Sequence, residues 1–335
     1  MKNELTCGVV ADLLPSFVEG LTSEETNRAV EAHVAACPVC AAKLAAMRGP
    51  ETDLSTETEK EVDYLKTVKK QTWKKVLAAV VCTVLVIVLG CAVKLFVIGE
   101  PAKSEGLAIL TQEVDRENIL HLDMTTPTSA TAYHSWKLEQ EDGVVNIRAR
   151  QVLASALFPD GSAQLEIPMD DVKEVYLCGK LIWQDGMAIS PKTLALLAAK
   201  TPYLGDASAV GNIASLLGIR GQIGSYTMEL GASKEPLCWK LNFSDMLSLT
   251  QDERMTGLAY QMLALVGNLD EVHWTGGRSI SLAQVNRALE DLTSEYNSAH
   301  GTSWKVKASV RDYTVSPADY QQLREILAYK FGELE

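Results

Sequence analysis

The feature that most constrains this chain is an apolar run in its first third. Val76 to Val93 are 18 consecutive residues without a charge, and Leu95 to Ile98 continue the run beyond Lys94. A helix of about 20 apolar residues is long enough to cross a bilayer. A buried core helix is the alternative, but such a helix normally carries a polar face, and this run has none. We therefore predict a single transmembrane helix over residues 76–99.

The charges that flank the run predict its orientation. Five lysines crowd the residues before it, whereas acidic and basic residues are mixed after it. Because short loops rich in Lys and Arg stay in the cytoplasm, we expect a cell-membrane protein with its N-terminus inside and its C-terminal part outside. A cleaved signal peptide is excluded, since the run starts near residue 76. The lysines are Lys66, Lys69, Lys70, Lys74 and Lys75, and the residues after the run include Glu100, Lys103 and Glu105.

The length and the net charge of the chain limit the number of domains and the kind of partner. A chain of 335 residues predicts two or three domains. Its formal net charge of -12 disfavours capture of nucleic acid, because phosphate binding needs clustered Lys and Arg. We expect a protein partner and no direct contact with nucleic acid.

The remaining pattern predicts a multidomain chain: a small all-α module, one transmembrane helix and an α+β extracytoplasmic region. Turn signals at 141–143, 159–161 and 185–186 separate strand-like runs. Beyond Ser190 helical and strand patterns alternate. The expected boundaries are 1–48 for the helical module, 49–75 for a linker and juxtamembrane helix, 76–99 for the span, 100–189 for a β-rich region and 190–335 for an α+β domain.

In the last region the pattern predicts individual elements. Helices are expected over 192–200, 207–217, 252–265, 282–296 and 317–329. Strands are expected over 226–230, 238–243 and 271–274, with Gly276 and Gly277 forming a hairpin turn after the third strand.

A metal-binding pattern precedes the span. His33, Cys37 and Cys40 stand as H-x3-C-x2-C, so we expect His33 and Cys37 on one helix face and Cys40 after a turn that Pro38 opens. Cys7 is the natural fourth ligand of a closed zinc site, which leaves no position for a catalytic water. Buried thiols beside a core histidine, or a thiol–disulfide switch that releases zinc, are the alternatives. A capping box of Thr22 and Glu25 is expected to open the helix that carries His33.

The segment CGVVADLLPSFVEGLTSEETNRAVEAHVAACPVC resembles the zinc-binding anti-sigma domain, a small helical domain that holds an extracytoplasmic-function sigma factor inactive. The resemblance covers residues 4–47. It includes the stretch Asp12–Pro15, the pair Glu19–Gly20, and the four metal positions in the family's order and spacing. It implies zinc at Cys7, His33, Cys37 and Cys40 and a sigma factor as the partner.

The same resemblance implies how the module would act. Its helices, helped by residues 49–75, would clamp the sigma factor and cover the surfaces that bind polymerase. Leu13, Leu14, Phe17 and Val18 would contact either the rest of the module or the partner, and the sequence leaves this open. Some members of the zinc family bind no sigma factor.

A second resemblance covers residues 195–275. TPYLGDASAVGNIASLL and ALVGNLDEVHW are similar to an uncharacterised domain of membrane proteins in Gram-positive bacteria, at times found behind this type of zinc finger. It implies a Gram-positive source and assigns no activity.

Other cysteines and histidines carry less information. Cys91 ends a lipobox-like sequence, but a module of 75 residues ahead of it argues against a lipoprotein, and Cys82 and Cys91 are read as apolar residues of the span. Cys178 and Cys238 lie in strand-like runs as free thiols or as one disulfide. No catalytic motif stands out, so an enzyme is not expected.

The sequence thus predicts a membrane-bound anti-sigma factor whose outer domain responds to an envelope signal through an unassigned ligand. Release could involve an outer or intramembrane protease, or a conformational signal. The alternative is an envelope binding or assembly protein whose zinc hairpin docks another cytoplasmic protein.

Overall fold

The computed structural model describes residues 5–49 and 54–332, and for residues 54–68 it describes the backbone alone. The chain divides into two units, Met1–Val88 and Leu89–Glu335. The first unit opens with three short helices that pack on one another. They are α1 (Cys7–Val18), α2 (Glu24–Ala36) and α3 (Pro38–Met47).

One long helix follows, α4 (Leu54–Val93), and a π-helical turn at Lys94–Ile98 continues it. The stretch Lys69–Ile98 is long and apolar enough to cross a membrane, and its most apolar 18-residue window has a mean hydropathy of 3.0. None of its most apolar window is buried in protein. The helix already begins at Leu54, inside the segment predicted as a polar linker, because helix-forming Glu and Lys residues outweigh the turn signals there. Val62, Leu65 and Val68 recur at helical spacing in the sequence, and their side chains lie outside the described part of the chain.

A buried helix of the second unit shows what a core helix of this protein looks like. Helix α8 (Leu249–Leu265) is buried without a break from Gly257 to Leu265. Its buried Gln261 accepts a hydrogen bond from the hydroxyl of Tyr320. In α4, by contrast, the large apolar side chains from Trp73 to Val93 are exposed, as a helix that faces lipid requires.

The β-rich part of the second unit has two sheets. One has the order β2-β3-β6, and in the other β1-β5-β7-β8-β9 are neighbours while β4 also pairs with β5. Alternating side chains of β3 and β5 meet the β7–β8 hairpin in one apolar core. The strands are β1 (Glu100–Pro101), β2 (Ala108–Val114), β3 (Ile119–Thr125), β4 (Thr131–Glu141), β5 (Val144–Leu153), β6 (Ala163–Pro168), β7 (Glu174–Leu177), β8 (Lys180–Gln184) and β9 (Met187–Ala188). A 3-10 turn, Ser104–Gly106, precedes β2.

The remainder is α+β, as expected. A four-stranded sheet in the order β10-β11-β12-β13 packs with α8 in a large core. The predicted strands 238–243 and 271–274 agree with the structure to the residue. The elements are α5 (Pro191–Ala198), α6 (Ala207–Leu216), α7 (Ile219–Gln222), β10 (Tyr226–Gly231), β11 (Cys238–Phe243), α8, β12 (Glu271–Trp274), β13 (Arg278–Ser281), α9 (Leu282–His300), a 3-10 turn (Val310–Thr314) and α10 (Pro317–Phe331).

Three hairpin turns follow the sequence signals. Asp142–Gly143 and Asp185–Gly186 turn with positive φ, and Gly276–Gly277 does the same between β12 and β13. Cys178, which was predicted inside a strand, instead has φ of 49° and forms the β7–β8 turn with Gly179. Gly179 is a turn residue, but it stands inside the apolar run EVYLCGKLIW, which as a whole has the pattern of one strand.

Candidate metal centre

Two helices and the turn between them bring three donors together. The side chain of Ser23 caps α2 by accepting the N–H of Thr26, so the cap lies one residue beyond the predicted Thr22. The hydroxyl of Thr22 instead contacts the side chain of Asn27. His33 lies in the last turn of α2, where the helix is about to end.

The structure corrects the expectation that His33 and Cys37 share one helix face. Cys37 has left the helix, with φ of -123° and ψ of 108°, although its N–H still bonds the carbonyl of His33 at 2.9 Å. Pro38 starts α3 at its first position, as predicted. The chain bends by 116° between α2 and α3. This bend aims Cys37 and Cys40 back toward His33.

Cys7 comes from the first position of α1, after the extended residue Thr6. Its Sγ lies 3.7 Å from the Sγ of Cys37. Ligand atoms of Cys7, His33, Cys37 and Cys40 all lie within 4.8 Å of one another. Among residues 5–49 and 54–332 this is the one group of three or more His, Cys, Asp or Glu donors with such spacing.

These residues fit a zinc ion. In a tetrahedral site with Zn–S bonds of about 2.3 Å, neighbouring sulfurs stand roughly 3.8 Å apart. The 3.7 Å between the sulfurs of Cys7 and Cys37 matches this edge and is far too long for a disulfide bond of about 2.05 Å. The Nε2 of His33 is buried and has no hydrogen-bond partner. A buried ring nitrogen without a partner is costly, and a metal ion in the cluster would satisfy it.

Local electrostatics already favour a thiolate in the cluster. The backbone N–H of Cys40 at the start of α3 donates toward the sulfur of Cys37, and a hydrogen bond with Cys7 adds to this, which lowers the pKa of Cys37 to about 7. Burial raises the pKa of Cys40, and the neighbouring sulfurs raise it further. A dication would remove this repulsion by balancing the charge of the thiolates.

The apolar core of the helical module is small. Four of the described residues form its buried centre, and Leu13 and Phe17 pack partly buried against them. Of the residues left open between core and partner, Leu14 is fully buried, whereas Val18 is 37% exposed. A core of this size needs an added cross-link such as a metal ion. The buried residues are Val10, Leu14, Val30 and Cys40.

The remaining cysteines are all free thiols. Cys82 and Cys91 are exposed on α4, which fits apolar residues of a span. Cys178 and Cys238, which could have formed a disulfide, are unpaired and partly buried. Burial raises the pKa of Cys178.

One junction was missed by sequence reasoning. Gly99 follows the π-helical turn with φ of 66°, and a Cβ at this position would overlap the carbonyl oxygen of Gln151. Directly after it, β1 pairs with the end of β5. A glycine just past an apolar helical run is a known helix-stop signal, and it could have indicated the turn. The partner strand, about 50 residues further on, could not be inferred.

Two parts of the chain match known family models. Residues 7–41 match the family described as "Putative zinc-finger", which is of the anti-sigma factor type. Residues 196–284 match the family described as "Domain of unknown function (DUF4825)". Both resemblances drawn from the sequence are thereby confirmed. No curated protein and no solved structure matches the chain.

Proposed function

We propose that the chain is a membrane-bound anti-sigma factor that holds an extracytoplasmic-function sigma factor through a cytoplasmic zinc module. The observation that carries the proposal is the cluster of Cys7, His33, Cys37 and Cys40, with ligand atoms within 4.8 Å, inside a segment that matches a zinc finger of anti-sigma type. All four residues act as zinc ligands. The metal fixes the angle between α2 and α3, so its role is structural.

The exposed surface of the module supports a protein partner. Five large apolar side chains are exposed on α1, on α3 and in the connection after α1, a large share for so small a unit. Such a surface would hold a partner through complementary shape and apolar contact, and this needs no catalysis. The side chains are Val9, Val18, Leu21, Val39 and Met47.

The span supports an arrangement with the zinc module inside. Lys69, Lys70, Lys74 and Lys75 lie at the start of the stretch Lys69–Ile98 and, with Lys66, favour a cytoplasmic N-terminus. The region from Glu100 onward then lies outside the cell. There it responds to an envelope signal, and the signal leads to release of the sigma factor through a change in the span or its cleavage by a protease.

The test is capture of the partner by the full-length chain in its native membranes. Tagged wild-type chain, the Cys40→Ser variant and the matched Cys82→Ser variant are purified, and bound proteins are identified by mass spectrometry. We expect a sigma factor with the wild type and with Cys82→Ser, and at least a tenfold smaller yield with Cys40→Ser.

The same experiment separates the alternative function. If the zinc-dependent partner is another cytoplasmic protein, the hairpin is a docking module for an envelope protein and the anti-sigma proposal fails. A sigma factor that is recovered equally from all three variants would contradict the role of zinc.

A further inference from the structure

The outer unit contains a cavity of about 520 Å³ between β2, the β7–β8 hairpin and α10. Its volume lies in the range of sites for small organic ligands, roughly 300–1,000 Å³. Neither the metal cluster nor the span uses it.

The walls of the cavity are apolar. Leu177, Ile182 and Ile189 are at most 3% exposed, and Leu107 and Ile109 complete the wall from the other sheet. The position of the walls is fixed by hydrogen bonds, because Gln112 donates its side-chain N–H to the carbonyl of Ile182 at 2.7 Å. The apolar part of a ligand would leave water when it binds here, and this transfer favours binding.

Two opposite charges line the same cavity and do not pair with each other. The side chain of Lys180 makes no ion pair and no hydrogen bond among the described residues. Glu325 accepts hydrogen bonds from the hydroxyl of Tyr296 at 3.1 Å and the amide of Gln321 at 3.2 Å, both neutral donors. The adjacent guanidinium of Arg324 is directed elsewhere, to the hydroxyls of Ser190 and Thr193.

The carboxylate side is held in place by a network. The side-chain oxygen of Gln321 accepts the N–H of Ser190 at 3.3 Å and the hydroxyl of Thr193 at 2.5 Å, so its amide nitrogen is left to donate to Glu325. Such pre-organisation lowers the entropy cost of binding a cation at Glu325.

We propose that this cavity binds a small zwitterion with an apolar body, namely an apolar amino acid or a dipeptide with free termini. The ammonium group of the ligand pairs with Glu325, and its carboxylate pairs with Lys180. A ligand with one charge would leave the opposite protein charge partly desolvated without a partner, which is unfavourable. A phospholipid with two acyl chains exceeds a cavity of this size.

The cavity also touches the chain that leads from the membrane. Its wall includes Ser104, which is six residues beyond Ile98, so at most about 20 Å of extended chain separates the two residues. A bound ligand therefore contacts the segment that continues the span. A role of this ligand as the envelope signal rests on the proposed function, whereas its binding does not.

The test is calorimetry of the full-length chain in lipid nanodiscs with leucine, phenylalanine and leucyl-leucine as probes. The variants are Lys180→Ala and Glu325→Gln, with Lys137→Ala, an exposed lysine of β4, as the matched control. We expect Lys180→Ala to weaken binding of leucyl-leucine by about tenfold or more and Lys137→Ala to leave it unchanged. The C-terminal amide of the dipeptide has no carboxylate to pair with Lys180, so Lys180→Ala should not weaken its binding further. The N-acetyl derivative has no ammonium group to pair with Glu325, so Glu325→Gln should not weaken its binding further.

Several outcomes overturn the proposal. They are the absence of binding by all three probes up to about 10 mM, equal binding of the blocked and free dipeptides, and binding of decanoate in place of the zwitterions. Capture of a sigma factor by the zinc module is measured separately, so either proposal can fail while the other stands.

Discussion

The side chain of Arg150, in β5, binds the end of the apolar helical stretch. Its Nε donates to the carbonyl oxygen of Ile98 at 2.6 Å, and its Nη2 donates to that of Gly99 at 2.9 Å. The last carbonyls of a helix have no partner within the helix, and a cation at this end also interacts favourably with the helix dipole. Arg150 lies in the middle of the pairing between β5 and both β1 and β4, so the span is tied directly to a sheet.

Replacement of Arg150 by Gln should loosen this connection. We expect amide exchange at Gly99 and Ala102 to become roughly five- to thirtyfold faster, because about 1–2 kcal/mol of local stability is lost with the charged hydrogen bonds. Hydrogen exchange read out by mass spectrometry on the nanodisc-bound chain measures this. Arg148→Gln is the control, since Arg148 forms only an exposed ion pair with Glu139. Equal effects of the two variants would contradict the role of Arg150.

Replacement of Gly99 by Ala should destabilise the second unit more than the same replacement does at an open turn. Gly99 combines positive φ with a backbone oxygen where a Cβ would lie, whereas Gly186 has φ of 86° and nothing within 4 Å of such an atom. We expect Gly186→Ala to lower the free energy of unfolding by about 1–2 kcal/mol through backbone strain alone. Gly99→Ala should lower it by about 3 kcal/mol or more. Denaturant unfolding of both variants gives the two free energies. If Gly99→Ala costs no more than Gly186→Ala, the close approach to Gln151 is absent in solution.

Replacement of Cys40 by Ser should remove most of the zinc affinity. Cys40 is both a candidate ligand and a member of the small buried core, so we expect roughly hundredfold weaker binding and loss of exchange protection over 7–47. Metal content and hydrogen exchange are the readouts. Cys238→Ser, in β11 and outside the cluster, should change neither. Full protection of the helices in metal-free Cys40→Ser would show that the module folds without zinc.

An ion pair in the β-rich part of the second unit should make stability depend on pH. The Nε2 of His121 lies 2.8 Å from Oδ2 of Asp115. This hydrogen bond raises the pKa of His121 and lowers that of Asp115. The stability that His121 contributes is fully present below its unfolded pKa of about 6.5, and it is lost as the pH rises through its raised folded pKa. The stability that Asp115 contributes is present above about pH 3.9 and is lost as the pH falls through its lowered folded value.

The measurement compares wild type with His121→Gln in denaturant unfolding at about pH 5.5 and about pH 8.5. We expect a larger stability difference at the lower pH. In an Asp115→Asn background this pH dependence should shrink, because the main partner of the imidazolium is gone. A difference that grows toward high pH would contradict the assigned sign.

Local pattern in the sequence predicted much of the secondary structure and the members of the metal cluster. An uncharged run as long as a bilayer is thick, alternating apolar residues in Cys238–Phe243, and thiols and an imidazole at short spacing each act over a few residues. Such patterns are readable because periodicity and donor chemistry are properties of neighbouring residues. Three of the four candidate zinc donors followed from residue type and spacing, and Cys7 followed from the need of a closed site for a fourth ligand.

Tertiary structure decided what neighbouring residues cannot specify. The exit of Cys37 from its helix and the bend at Pro38 determine how the donors converge, and a helical register alone predicted the wrong face. Arg150 reaches Ile98 across 52 positions of sequence, and Lys180 and Glu325 line one cavity although 145 positions separate them. These contacts depend on which strands pair and which faces pack, because chain folding brings together residues whose local sequences carry no mutual signal.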